Sequence, residues 1–237
     1  MLLRILAAAS ATLALLITGC ASPRGMAKLD DTASVAKPTK NVYLLTVTLK
    51  NTHTPAYQPR LSAVKIAKIT GRETYNTLRF EPDLVARSES NRAEIGCSYL
   101  LRLEIEPGNY VIMGLDSWGQ AMIMTGEYFT PLGIHLTVPA NAPGIRYLGH
   151  IEAVVRAHKE GEFRACSTLP TQEQRLTGAF SGTFDVAITD QWEIDSVKFG
   201  NKFPTLKNAK VQKAVIPPFN REYIQRWWDK NLFNELP

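Results

Sequence analysis

The sequence is poor in the side chains and motifs on which most enzymes depend. Its 237 residues include only four histidines and three cysteines, and no metal-ligand spacing such as His-Glu-x-x-His connects the histidines. A Gly-x-Ser-x-Gly nucleophile elbow and a glycine-rich phosphate loop are also missing. We therefore predict no catalytic residue, no metal site and no cofactor, and we expect no base or ligand among His53, His135, His150 and His158.

A long apolar run is missing as well. The uncharged stretch 5–17 follows a single positive charge, Arg4, and falls short of the about 20 residues that a transmembrane helix needs. A charged start, an apolar stretch of this length and a small-residue exit are typical of an export signal. The stretch ends in Ile17-Thr18-Gly19-Cys20, which resembles the lipobox of bacterial lipoproteins.

The resemblance to the lipobox implies that Cys20 is lipidated. In that family a peptidase removes the residues before the cysteine, here 1–19, and acyl chains on the cysteine hold the protein on a membrane. Two or more chains bind stably, whereas one chain binds only marginally. No Asp follows Cys20, so the resemblance implies the outer membrane of a bacterial envelope rather than the inner one, with the domain facing the periplasm.

Cysteines are scarce once Cys20 is lipidated. Cys97 and Cys166 are then an even pair in an exported chain, and such pairs form disulfides in an oxidising compartment. We predict a Cys97–Cys166 disulfide, with two separately buried thiols as the alternative.

Charge of either sign is not concentrated. Lys and Arg outnumber Asp and Glu by 27 to 22, but the excess is scattered along the chain. Export also separates the protein from nucleic acids, so we predict no nucleic-acid partner.

The composition divides the mature chain into three parts. Residues 20–40 contain no aromatic residue and no apolar periodicity, which predicts a lipidated, flexible tether. Over 41–189, short β-branched and aromatic segments separated by turn residues predict a mainly β domain, an antiparallel β-sandwich of seven or eight strands. Residues 190–237 carry helix signals and predict one or two C-terminal helices.

The strand pattern is clearest in SYLLRLEIEPGNYVIMGL, residues 98–115. Leu101 and Leu103 alternate with Arg102, as in a half-buried strand. Pro107-Gly108 is typical of a tight turn, so we predict a β-hairpin here. EFRACSTL, residues 162–169, is predicted to be a further strand.

Two segments of the mature chain carry a resemblance to known families. EPGNYVIMGL and PGIRYLGHIE resemble segments of uncharacterised envelope lipoproteins, and the first is also similar to transthyretin-like, carboxypeptidase-regulatory-like sandwiches. The resemblance covers about 98–204. It implies a β-sandwich with a binding or structural role and no catalytic residues.

An acidic cluster begins the C-terminal part. Asp190, Glu193 and Asp195 could collect Ca²⁺, but they lack the spacing of an EF-hand loop. Asp190 as N-cap with Glu193 three residues later predicts a capping box at the start of a helix instead.

The last helical segment contains adjacent tryptophans. Asn220 is a predicted N-cap, and Ile224, Trp227 and Leu232 share one face. Neighbouring residues leave a helix about 100° apart, so we predict that Trp227 is packed and that Trp228 is partly exposed. Trp228 is our candidate for partner binding, and simple packing of the helix on the sandwich is the alternative.

Taken together, these features predict a non-enzymatic envelope lipoprotein that is held at the membrane by its lipid and binds or scaffolds an envelope protein. A carbohydrate- or peptidoglycan-binding module and an envelope hydrolase are the alternatives. A protruding aromatic helix would favour protein binding, an aromatic strand face would favour sugar binding, and convergent carboxylates with a histidine would favour hydrolysis.

Overall fold

The computed structural model describes residues 22–29, 35, 38–71, 75–88, 96–121, 123–166 and 171–230. These residues form a mainly β structure with two five-stranded sheets and three α-helices. In this part of the chain no helix is long and apolar enough to cross a membrane. The predicted lipidation site, Cys20, lies outside the described residues, as does Leu232.

Sheet A contains the longest strands of the molecule. In spatial order its strands are β1 (Ser22–Arg24), β4 (Tyr75–Phe80), β3 (Arg60–Ile69), β6 (Gly108–Ala121) and β7 (Met124–Val138).

Sheet B has five strands and is covered by one of the three helices, α2 (Trp192–Lys202). Its strands in spatial order are β10 (Val211–Lys213), β8 (Gly144–Ala157), β2 (Asn41–Asn51) and β5 (Cys97–Glu104), and β9 (Gly182–Thr189) also pairs with β8. The helices are α1 (Gln172–Leu176), α2 (Trp192–Lys202) and α3 (Arg221–Asp229), with a 3-10 turn at Pro204–Leu206.

One hydrophobic core lies between the two sheets. Sheet B contributes alternate residues such as Leu101 and Leu103 of β5, and sheet A contributes residues such as Ile112 of β6. β9 also packs on this core, because Phe184 is buried and Ile188 is partly buried against it. The prediction of a mainly β structure is therefore confirmed.

The prediction of an antiparallel sandwich is not confirmed, because both sheets are mixed. β2 pairs in parallel with β8 along its whole length, and the short strands β1 and β10 also pair in parallel, with β4 and β8. Side-chain alternation has the same period of two in parallel and antiparallel strands. The sequence pattern therefore identifies strands without fixing their directions.

The predicted hairpin at Pro107-Gly108 is wrong. β5 pairs with β2 in sheet B, whereas β6 pairs with β3 and β7 in sheet A. The turn therefore carries the chain from one sheet to the other, and Gly108 adopts a positive φ of 147° there. Leu103 and Ile112 face the same core from opposite sides, which produces the alternation expected of a hairpin.

A second core covers the outer face of sheet B. Leu44 of β2, Leu100 of β5 and Tyr147 of β8 pack there against Phe199 of α2. The N-terminal segment also contributes Ala27 and Leu29. Residues 22–29 thus pack on the domain, which differs from the predicted flexible tether.

Arg102 holds this cover in place. Its side chain is 4% exposed, although the alternation predicted a solvent-facing position. Its Nε donates to the carbonyl of Ala27 over 2.9 Å, its guanidinium lies 4.1 Å from the ring centroid of Phe203, and it pairs with Asp83. β5 is therefore buried on both faces.

The segment 162–169 is not a strand in its described part. Phe163 and Ala165 are buried, and the amide of Ala165 donates to the carbonyl of Gly182 while its carbonyl accepts from Phe129. This irregular segment joins the β7 edge of sheet A to the β9 edge of sheet B. The apolar residues of this segment are the reason why its sequence predicted a strand.

Candidate functional site

The predicted disulfide partners lie at opposite edges of the domain. Cys97 begins β5, whereas the neighbour of Cys166, Ala165, is bonded to the start of β9. β2 and β8 lie between β5 and β9, so about three interstrand spacings, roughly 14 Å, separate these two strands. Disulfide Cα atoms lie about 4.4–6.8 Å apart.

No disulfide joins the described cysteines, and both side chains are buried. Burial raises the pKa of the Cys97 thiol. The disulfide stays a prediction, and the strand order favours the alternative of two separate buried thiols.

The C-terminal helix α3 has the predicted cap and the predicted orientation. The side chain of Asn220 accepts from the amide of Tyr223 over 3.0 Å. Ile224 and Trp227 are buried, whereas Trp228 is half-buried and its ring lies 6.1 Å from that of Phe163. The helix packs on the domain, and a binding role for Trp228 stays a prediction.

The predicted capping box at Asp190 is wrong. The N-cap of α2 is Gln191, which makes no side-chain cap bond. Asp190 accepts from the amide of Trp192 over 3.1 Å and pairs with Lys213 over 2.8 Å, so it joins the helix start to β10. Among the described residues, no group of three His, Cys, Asp or Glu side chains is placed to hold a metal ion.

Asp195 is the unexpected member of that acidic cluster. It is fully buried on the inner face of α2, where the hydroxyl of Tyr147 donates to Oδ2 over 2.5 Å. Nδ1 of His150 lies 3.4 Å from the same oxygen. His150 Nε2 is 2.9 Å from the hydroxyl of Thr48, which is 2.7 Å from that of Ser98. We call these five residues the His150 relay.

Burial and hydrogen bonding have opposite effects on the pKa of Asp195 in the relay. Burial by itself raises the pKa of Asp195, but its interactions with His150 and Tyr147 outweigh burial and lower that pKa. Burial, together with the Asp195 carboxylate, raises the pKa of Tyr147. Asp195 is therefore a carboxylate and Tyr147 a neutral donor near neutral pH.

The His150 relay has the order of groups found in acyl-transfer enzymes, where a carboxylate orients a histidine next to a hydroxyl. His150 is only 7% exposed, however, and Ser98 only 2%. Thr48 is the most accessible member, since it is half-buried. The sequence alone did not predict this contact between His150 and a hydroxyl group, because strand register aligns groups that are distant in sequence. That His150 is not a base stays a prediction.

A groove on the outer face of sheet A is the second polar site. Its volume is about 490 Å³, and its lining includes Lys65, Arg79, Asp116, Trp118 and Glu127. Strand register brings these residues together, because Trp118 lies opposite Glu127 and Lys65 lies opposite Arg79. We call this site the sheet A groove.

The charges of the sheet A groove are arranged in pairs. Asp116 lies 3.1 Å from Lys65 and 2.8 Å from Arg79. The side chain of Asp116 is 16% exposed, and those of Lys65 and Arg79 are each 32% exposed. The groove therefore presents accessible donors around one largely shielded carboxylate, with the exposed Glu127 as a further acceptor.

Aromatic rings form the apolar part of the groove. The guanidinium of Arg60 lies 5.1 Å from the ring centroid of Trp118, and Lys65 lies 5.2 Å from that of Phe129. Gly114 permits this packing, because a Cβ atom there would lie 2.8 Å from the Phe129 ring. Trp118 is half-buried in the groove.

The sequence reasoning missed the groove. Asp116 and Trp118 are two residues apart in DSWGQ, so one strand face carries both, and this spacing was the available signal. The other groove residues come from three further strands that only the fold brings together.

Comparison with protein-family models, with characterised proteins and with solved structures found no match for the chain.

Proposed function

We propose that the chain is a bacterial envelope lipoprotein, anchored through Cys20 and without enzymatic activity, whose domain binds a ligand in the sheet A groove. The observation that carries this proposal is a half-buried tryptophan on a strand face beside paired charges. The aromatic helix α3, in contrast, packs on its own domain through Ile224 and Trp227. A strand-face aromatic favours the carbohydrate-binding alternative over a protein-binding helix.

The groove chemistry fits a saccharide that carries carboxylates, as peptidoglycan does. The Trp118 ring offers a flat apolar surface to the C–H face of a sugar. Lys65 and Arg79 can donate to hydroxyl or carboxylate oxygens, and Glu127 can accept from hydroxyl groups. The polar lining supplies orientation, and the rings supply contact area.

The binding test uses purified peptidoglycan and soluble muropeptide fragments. Wild-type protein should sediment with peptidoglycan, and Trp118→Ala should weaken binding about tenfold, which corresponds to about 1.4 kcal/mol. Trp228→Ala is the matched control, because it removes a half-buried tryptophan from a different face. Equal binding of peptidoglycan by wild type and Trp118→Ala would exclude the sheet A groove as the binding site.

The alternative partner surface at Trp228 has its own readout. Crosslinking in intact cells should capture the same envelope proteins with wild type and with Trp228→Ala if the groove carries the function. Loss of one specific crosslinked protein with Trp228→Ala alone would instead support α3 as the protein-binding surface.

The lipid anchor is tested separately. Cys20→Ser should abolish incorporation of labelled palmitate and release the protein from membranes, since acyl chains supply the membrane affinity. Equal labelling of wild type and Cys20→Ser would contradict lipidation at this position.

A second candidate function, an envelope hydrolase, is favoured by the His150 relay. If the protein is a hydrolase, the purified protein should cleave activated esters, and Thr48→Val and His150→Gln should each abolish the cleavage. If the relay is only structural, the wild-type protein should show no cleavage, and both variants should lose only stability. Labelling by an active-site phosphonate distinguishes the two, because it needs an activated hydroxyl group.

A further inference from the structure

The domain begins almost directly after the predicted lipidation site. Ser22, Pro23 and Arg24 form β1, which pairs in parallel with Leu78–Phe80 of β4. The chain then continues across the domain, where the amide of Ala27 donates to the carbonyl of Arg102 over 2.7 Å. Only Ala21 separates Cys20 from the first paired residue.

This connection is too short to lift the domain off a membrane. Two residues span at most about 7 Å in extended conformation, which is the longest connection that the chain allows between the predicted lipidation site and Ser22. A free linker of about 20 residues would instead have an end-to-end distance of roughly 25 Å. The lipid on Cys20 must therefore enter the bilayer beside β1.

The direction of β1 shows which end of the domain lies there. Because β1 is parallel to β4, the chain arrives from the side where β4 begins, at Tyr75. Register places the last residue of β3 and the start of β6 on that side. We call it the anchor end of the domain; it comprises Ile69, Tyr75, Gly108 and Val138 of sheet A and Asn41, Glu104 and Gly144 of sheet B.

The opposite end is the distal end, formed by the β6–β7 turn and the start of β3. β6 runs from one end to the other over 14 residues, which is about 45 Å at roughly 3.3 Å per residue. Ile123 at the turn is 94% exposed.

The anchor end has the surface expected for contact with lipid headgroups. Its described charges include two ion pairs, because Lys40 lies 2.7 Å from Glu104 and Lys68 lies 3.2 Å from Glu106. Asn76 and Asn109 are exposed and polar. These polar and charged side chains suit the headgroup layer and not the hydrocarbon interior.

We propose that the anchored domain rests directly on the bilayer with its anchor end against the headgroups and its distal end pointing away. This orientation rests on the lipid anchor of the proposed function. It places the sheet A groove at a fixed height, because Gly114 and Trp118 lie six and ten residues along β6 from Gly108, or roughly 20–33 Å. The groove can therefore bind a ligand that extends parallel to the membrane at that height.

The test uses the full lipidated chain in phosphatidylcholine vesicles that contain lipids with a headgroup-level quencher. A fluorophore is attached at Asn76→Cys in one variant and at Ile123→Cys in another. Since about 45 Å separates the two ends, we expect quenching at position 76 to be about fivefold stronger than at position 123. A flexible insertion of about 20 Gly and Ser residues before Ser22 should remove most of this difference.

Mass spectrometry of the same samples separates the two proposals. Acylated Cys20 with strong quenching at position 76 alone supports the orientation. Acylated Cys20 with equal quenching at both positions overturns the orientation and leaves the anchor intact. An unacylated Cys20 overturns the anchor and the orientation together.

Discussion

The outer faces of the two sheets have different surroundings. On sheet B, α2 together with Ala27 and Leu29 covers the strands, and Asp195 is completely buried there. On sheet A, the groove leaves Asp116 16% exposed between two partly exposed cations. An aspartate thus belongs to a closed network on sheet B and to an accessible groove on sheet A. For this reason we propose that the ligand binds on sheet A.

The strands of the two sheets also differ in burial. Almost every residue of β2 and β5 is buried. β6, in contrast, places Asp116 and Trp118 on its accessible side.

Removing the cover of sheet B should have the largest effect. Phe199 is fully buried in the second core, so Phe199→Ala should lower the free energy of unfolding by about 3–5 kcal/mol. Denaturant unfolding followed by circular dichroism measures this loss. The control is Val197→Ala on the same helix, which is 60% exposed and should change stability by about 0.5 kcal/mol or less. Similar losses in both variants would show that α2 is not packed as described.

Asp195→Asn should have the next largest effect, a loss of about 1–3 kcal/mol at neutral pH, because it disturbs a buried bonded carboxylate. The folded-state pKa of Asp195 is lowered, so its contribution is present above the unfolded value near 3.9. It is lost as pH falls through the folded pKa. The free energies of unfolding of wild type and variant should therefore become equal in acid, which urea unfolding at pH 7 and below pH 4 measures. A difference in unfolding free energy that does not change with pH would contradict the lowered pKa of Asp195.

Asp116→Asn should have the smallest effect on stability, about 1 kcal/mol or less, because its partners are solvent-accessible. The same change should alter peptidoglycan binding, since Lys65 and Arg79 lose their shared carboxylate. Thermal unfolding and sedimentation with peptidoglycan measure the two effects. A loss of stability as large as that of Asp195→Asn would remove the distinction between the two faces.

Local features of the fold were predictable from the sequence, and long-range ones were not. The cap at Asn220 and the unequal burial of Trp227 and Trp228 follow from helical geometry. The parallel pairing of β2 with β8 and the crossing at Pro107-Gly108 do not, because strand periodicity carries neither direction nor partner. The burial of Arg102 and Asp195 depends on segments that are distant in sequence, so their charge alone predicted exposure.

The central strand pair has a consequence for how the chain folds while it is being made. Thr48 and His150 meet across sheet B although they are 102 positions apart, and β2 finds its parallel neighbour only after β8 has been synthesised. Contacts of such long sequence separation form slowly, because a large loop must close before they stabilise the chain. A nascent chain with only its first hundred residues lacks this partner strand, so the architecture itself delays folding until β8 has been made.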